Sequence, residues 1–162
     1  VLREKVMKDG LYHRNRLAVA PNGSISYINE TSASLHPITQ LVENRQEKKV
    51  GSIFYPAPYL SNDTLPFYET AYNMDQRKII DVYAVAQKHI DQGMSLTLFM
   101  RSQLPEGLYE WKTKENTMLT TRDLNRLRNY AWRKGIKSLY YVRTYTEDDE
   151  FSSVNSCESC MI

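Results

Sequence analysis

Two cysteines, Cys157 and Cys160, stand within six residues of the C-terminus, separated by Glu158 and Ser159. Two intervening residues let the sulfurs approach disulfide distance. On a tether, such a pair has a raised effective concentration at a nearby site. It could carry reducing equivalents to a buried disulfide by thiol–disulfide exchange. A zinc half-site is the rival reading, but the scattered histidines His13, His36 and His89 do not complete a zinc pattern. A prenylation box would need Cys at position 159, where there is Ser. A thioredoxin-type pair would open a helix, and here only two residues follow.

Tyr140 and Tyr141 are adjacent in an apolar run. In a regular strand, neighbours point to opposite faces, which makes them a packing pair. Alternatively, two stacked phenols can pass a hole between them, each losing an electron and a proton together. Stacking of neighbours requires the backbone to depart from ideal strand geometry, so the redox reading predicts such a departure.

The third candidate is the turn Pro21-Asn22-Gly23-Ser24-Ile25, after the apolar run Leu17-Ala18-Val19-Ala20. A glycine turn can point successive N–H groups into one concavity. With a following helix N-terminus and a hydroxyl such as Ser24, that concavity suits phosphate. An ordinary loop is the alternative.

These residues need elements to position them. Val1 to Asp9 has helical composition with Gly10 as its stop. Leu17–Ala20 suits a buried strand, and Thr31 to Pro37 reads as a polar loop. The alternating charges of residues 43–49 read as a solvated face or loop. Ser52–Tyr55 suits a strand, with Pro56 and Pro58 forcing extended backbone. A helix is predicted from about Met74 to Gln92, with Asn73 and Gln76 resembling a capping box and Gly93 as its end. Its inward face would carry Ile79, Tyr83, Ala86 and Ile90. Leu96–Met100 reads as a buried strand. A second helix would start at Thr120 or Thr121 and end at Gly135, with Leu124, Leu127 and Ala131 inward and Arg133 and Lys134 in its last turn. Ile136–Tyr145 is the last strand. The alternation implies β/α units and a parallel sheet. Residues 146–162, acidic and then small and polar, are expected to form a mobile tail.

A chain of 162 residues, 41% hydrophobic and 25% charged, is long enough for one domain with a core. The net charge of +2, with both signs interspersed, argues against a nucleic-acid partner. No stretch is apolar enough to span a bilayer, and no signal peptide is visible, so a cytoplasmic location is expected. The first residue is Val, as expected of a sequence that begins inside a longer reading frame, is processed, or starts at a reinterpreted codon.

Taken together, the three features resemble the large subunit of class I ribonucleotide reductases, close to the class Ib branch of Bacillus-like bacteria and their phages. Ala20-Pro21-Asn22-Gly23-Ser24-Ile25-Ser26 is similar to the family's Ala-Pro-Thr-Gly-Ser-Ile-Ser phosphate loop. His89-Ile90-Asp91-Gln92-Gly93-Met94-Ser95-Leu96 resembles the stretch before a barrel strand. Lys137-Ser138-Leu139-Tyr140-Tyr141-Val142-Arg143-Thr144 resembles the tyrosine-dyad strand, and Cys157-Glu158-Ser159-Cys160-Met161-Ile162 the redox tail. The resemblance implies the C-terminal portion of a ten-stranded α/β barrel over residues 1–145, followed by a flexible redox tail over 146–162.

By that resemblance Pro21, Asn22, Gly23, Ser24 and Ile25 would hold the diphosphate of a ribonucleoside diphosphate. Tyr140 and Tyr141 would carry a radical from the small subunit, and Cys157 and Cys160 would reduce the active-site disulfide. The implied partners are the N-terminal portion of the large subunit, the radical-bearing small subunit and a thioredoxin- or glutaredoxin-like reductant. No cofactor is assigned to this chain, since the metal-radical cofactor would sit in the small subunit. The family's radical-bearing cysteine, disulfide pair and allosteric site lie upstream, so the isolated chain is expected to be inactive. A non-catalytic remnant that binds the small subunit or a redoxin is the competing reading, and an unrelated thiol-redox protein is a third. The family usually has Thr where this chain has Asn22, a departure that bears directly on phosphate affinity.

Overall fold

The computed structural model describes residues 1–47 and 51–145. Cys157, Cys160 and the rest of the expected tail lie outside the described residues. The elements run α1 (Leu2–Asp9), α2 (Gly23–Ile28), β1 (Val42–Glu47), β2 (Gly51–Pro56), α3 (Gln76–Gln87), β3 (Leu96–Arg101), α4 (Thr121–Arg133) and β4 (Leu139–Tyr145), with short 3-10 turns at Leu65–Phe67 and Ala71–Asn73.

The core forms around β3. Leu96, Leu98, Phe99 and Met100 are all essentially inaccessible, so the strand is covered on both faces. That is why it reads as a continuous apolar run rather than an alternation. α3 contributes Ile79, Ile80, Tyr83 and Ala84, and α4 contributes Leu127 and Ala131. β4 pairs with β3 in parallel, as the β/α alternation predicts.

α4 starts where expected. Thr120 and Asp123 form a reciprocal capping box, each side chain accepting from the other's backbone N–H. α3 is shorter than expected. Its cap is Asp75, which accepts from the Arg77 N–H at 2.8 Å, whereas Asn73 lies in a 3-10 turn. Gln76 points inward instead, donating to the carbonyls of Ala71 and Met74 and accepting from the Phe99 N–H of β3. The helix ends at Gln87, whose amide nitrogen holds the carbonyls of Ile90 and Gln92 and turns the chain away before Gly93.

Two further expectations are corrected. Of residues 43–49, expected as a solvated face or loop, 43–47 belong to β1, paired antiparallel with β2 from Val42↔Pro56 to Glu47↔Gly51, and 48 and 49 lie outside the described residues. Strand pairing outweighs the low β-propensity of these charged residues. Leu17–Ala20 is not a buried strand. Only Val19 bridges, in parallel, to Met94, and Leu17 is half exposed. The Arg16 and Leu17 N–H groups donate to the Asp91 carboxylate, and Pro21 has no N–H to extend a ladder.

The connection from β3 to α4 is fastened from below. Lys112 Nζ lies 2.7 Å from Asp123 Oδ2, both side chains only 4% exposed. Trp111 Nε1 donates to Asp123 Oδ1 at 2.9 Å, and the Trp111 ring stacks on buried Tyr109 at 4.6 Å. Among the described residues no helix is long and apolar enough to cross a membrane.

Candidate functional site

β4 carries a register shift at its start. Leu139 pairs with Leu96, but the next residue of β3, Thr97, pairs with Tyr141. Tyr140 is therefore the extra residue of a bulge, an arrangement that bends a strand and re-aims a side chain. The consequence is the departure that ring stacking requires: the Tyr140 and Tyr141 rings lie 4.1 Å apart at 57°. Tyr140 is 47% exposed and Tyr141 is half-buried.

The root of β4 is held just before the bulge. Ser138 Oγ donates to the Met94 carbonyl at 2.8 Å. Lys137 Nζ donates to the carbonyls of Asp91 and Ile90. Gly93 is required here for space: a Cβ would meet Ser138 Oγ at 2.7 Å. Sequence inspection assigns Gly93 to a helix end; its contact with a residue 45 positions away leaves no local signal.

The phosphate-loop candidate sits on the opposite side of the same strand root. Val19 N–H donates to the Gly93 carbonyl and Ser95 N–H donates to the Val19 carbonyl. Those bonds use one edge of the 93–95 segment, and Ser138 uses the Met94 carbonyl on the other. Pro21 and Asn22 then lead into α2, of which Gly23, Ser24 and Ile25 form the first turn. The first N–H groups of a helix have no intrahelical acceptor and are available to an anion. Ser24 and Ile25 are exposed, and the space around Gly23 is open. The fold thus brings the loop and the tyrosine pair to the two flanks of one strand root; the cysteine pair lies outside the described residues.

Beside α2 lies a cavity of about 470 Å³ lined by Tyr27, His36, Thr39, Glu43, Tyr55 and Tyr59 among others. The Tyr27 hydroxyl donates to Glu43, and Thr39 Oγ1 donates to the other carboxylate oxygen at 2.6 Å. The Arg45 guanidinium lies 4.1 Å from the Tyr27 ring centroid, and the Tyr55 ring packs at 4.5 Å. Burial and then the Glu43 carboxylate push the Tyr27 phenol well above its ordinary range. His36 is lowered, chiefly by burial, and its ring packs on Phe99. Sequence reasoning missed this cluster because residues 27, 43 and 55 meet only through the hairpin. Among the described residues, no group of three or more His, Cys, Asp or Glu side chains could hold a metal ion.

Among the described residues, β3 and β4 are parallel and joined through α4, a β/α unit of the kind that α/β folds repeat. A solved structure, the class Id ribonucleotide reductase alpha subunit of Actinobacillus ureae, is similar in fold, with a TM-score of 0.60 at 20% identity over 88% of this chain and 28% of that one. Residues 1–142 match the family model of the ribonucleotide reductase barrel domain, and the chain belongs to that family. It is 42% identical, over 99% of its length, to the ribonucleoside-diphosphate reductase NrdEB subunit alpha of Bacillus subtilis. It is 40% identical, over 97% of its length, to the ribonucleoside-diphosphate reductase subunit alpha of Mycoplasma pneumoniae. The chain spans 13% and 20% of those two relatives.

Proposed function

We propose that this chain serves within a ribonucleoside-diphosphate reductase large subunit, supplying its substrate-phosphate loop, its tyrosine relay and its shuttle cysteines. The observation that carries the reading is the bulge at Tyr140, which brings two adjacent phenols into ring contact in the strand whose sequence resembles the family's dyad.

In this reading the diphosphate of the substrate meets the N–H groups of Gly23, Ser24 and Ile25 and the Ser24 hydroxyl. Pro21 sets the entry to the turn. A metal-radical cofactor, held by a separate small subunit, supplies the oxidising equivalent. Tyr140 and Tyr141 pass it between them by hydrogen-atom exchange: the phenoxyl radical of one ring takes the phenolic hydrogen of the other, and the radical moves to that second ring. Beyond the described residues, the Cys157 and Cys160 thiols would reduce the enzyme's disulfide to two thiols, becoming a disulfide themselves. A thioredoxin- or glutaredoxin-like protein would then restore them. The remaining strands of the barrel come from the N-terminal portion of the large subunit, and a cytoplasmic location is part of the same reading.

The test is deoxyribonucleotide formation by a large subunit containing this segment, either as one chain or with the N-terminal portion added separately. The small subunit, a ribonucleoside diphosphate, an allosteric effector and a redoxin system complete the assay. Turnover is expected, and Tyr141→Phe should abolish it. Turnover that survives Tyr141→Phe would remove the relay role. No turnover, with no association between this chain and the N-terminal portion, would leave a remnant that keeps the family's sequence without its function.

A further inference from the structure

β4 lies beside β3 with one residue in excess: the seven residues Leu139–Tyr145 face the six residues Leu96–Arg101. The excess is taken up between Leu139, opposite Leu96, and Tyr141, opposite Thr97, where the two phenol rings meet. It could be lost at either end, by drawing the root of β4 up or its far end down by one residue. Each shift reverses the faces of the residues that move. Both ends are held. At the root, Ser138 Oγ donates to the Met94 carbonyl at 2.8 Å and Lys137 Nζ to the Asp91 carbonyl at 2.6 Å. The Lys137 N–H donates to the side-chain oxygen of buried Gln87, whose amide nitrogen holds the Ile90 and Gln92 carbonyls. At the far end the Ser102 N–H donates to the Tyr145 carbonyl at 2.8 Å, and the Tyr145 ring packs against Tyr72 at 5.4 Å.

From this geometry we infer that Lys137 and Ser138 are positioning residues of the tyrosine relay: they fix the root of β4 to the 91–94 segment and so trap the extra residue that brings the Tyr140 and Tyr141 rings together. The inference rests on the relay reading proposed above. Both residues act through strand register, without contact to the reacting oxygens. Gly93 gives Ser138 its room, since a Cβ there would meet Ser138 Oγ at 2.7 Å. With the root released, β4 exchanges between the bulged register and a slipped, regular one. In the regular register adjacent tyrosines take opposite faces and the ring contact is gone.

The experiment compares the full chain with Ser138→Ala, with Gly93→Ala, which pushes the same hydroxyl aside, and with the double variant Lys137→Met/Ser138→Ala. NMR of chains with ring-labelled tyrosine reads the cross-peak between the Tyr140 and Tyr141 rings. Amide hydrogen exchange reads β4 against α3. Ser138→Ala and Gly93→Ala should each speed exchange in β4 about fivefold, the weight of roughly one hydrogen bond, and leave α3 unchanged. The double variant should lose the ring cross-peak, and Lys137→Arg, which keeps a donor, should retain it. In a reductase that contains this chain, kcat should fall in step with the ring contact while KM for the ribonucleoside diphosphate holds. A cross-peak that persists in the folded double variant would overturn the positioning role, whatever the melting temperature does. Should the double variant not fold, the single variants decide: β4 exchange that is unchanged, or that speeds only together with α3, overturns it. Lost ring contact with undiminished turnover would instead remove the relay reading and leave Lys137 and Ser138 as anchors of register alone.

Discussion

The Tyr140 and Tyr141 rings touch, 4.1 Å between centroids, where β4 shifts register: Leu139 pairs with Leu96 and Tyr141 with the next residue, Thr97. A straight strand would have sent the two phenols to opposite faces. The bulge turns a sequence neighbour into a stacking neighbour.

That contact is made by rings, not by hydroxyls, so it should survive loss of either phenol oxygen. Tyr140→Phe and Tyr141→Phe are each expected to change stability by less than about 1 kcal/mol in a denaturant melt. On the relay role proposed above, the same substitutions should eliminate turnover in a reductase that contains this chain. A variant that unfolds instead would show that the hydroxyl serves the fold.

Gly93 and Ser138 should be energetically coupled. In Gly93→Ala the new methyl group would meet Ser138 Oγ and force it off the Met94 carbonyl, a loss of about 1 kcal/mol for the hydrogen bond, with some overpacking besides. In a Ser138→Ala background that hydrogen bond is already gone, so Gly93→Ala should cost less. Strict additivity in the double-mutant cycle would show that the two residues do not meet.

Lys112 and Asp123 form a buried pair whose separation should be severe. Asp123→Ala strands the Lys112 ammonium, and a loss of about 3–5 kcal/mol is expected by chemical denaturation. The pair also sets a pH dependence. Burial alone would raise the Asp123 carboxyl, but bonds from Lys112 and Thr120 outweigh it and hold the group below the usual carboxylate range. A depressed folded-state pKa gives stability that is fully present above the unfolded value of about 3.9 and is lost as pH falls through the folded value. Acid melts of Asp123→Asn should therefore lack part of the parent's decline below about pH 4. A parallel decline in both proteins would assign it to other carboxylates.

Asp75 caps α3 and also binds the Arg77 guanidinium at 2.6 Å. The two contributions are separable. Asp75→Ala should cost about 1–2 kcal/mol, and Asp75→Ser, which keeps a capping oxygen, should recover most of it. The Arg77 pair is partly exposed, and its share should be under about 1 kcal/mol. If Asp75→Ser is as unstable as Asp75→Ala in thermal melts, the ion pair outweighs the cap.

What was legible from the residues alone was what depends on short-range pattern. The apolar run at Leu96–Met100, the Thr120 start of α4 and the glycine stop at Gly10 are written in local composition, and the structure keeps each of them. The candidate loop and the tyrosine pair were visible as motifs, and the need for a bent backbone at Tyr140 followed from strand periodicity. The tertiary structure decided the rest. It made residues 42–47 a strand by giving them a partner, moved the α3 cap to Asp75, and aimed Asn22 at Ser34 instead of at α2. Such choices depend on contacts between residues far apart in the chain, as between Asp91 and Leu17 or Gly93 and Ser138. Periodicity and propensity sum over neighbours, so they report which face a side chain takes; only packing reports what it meets there.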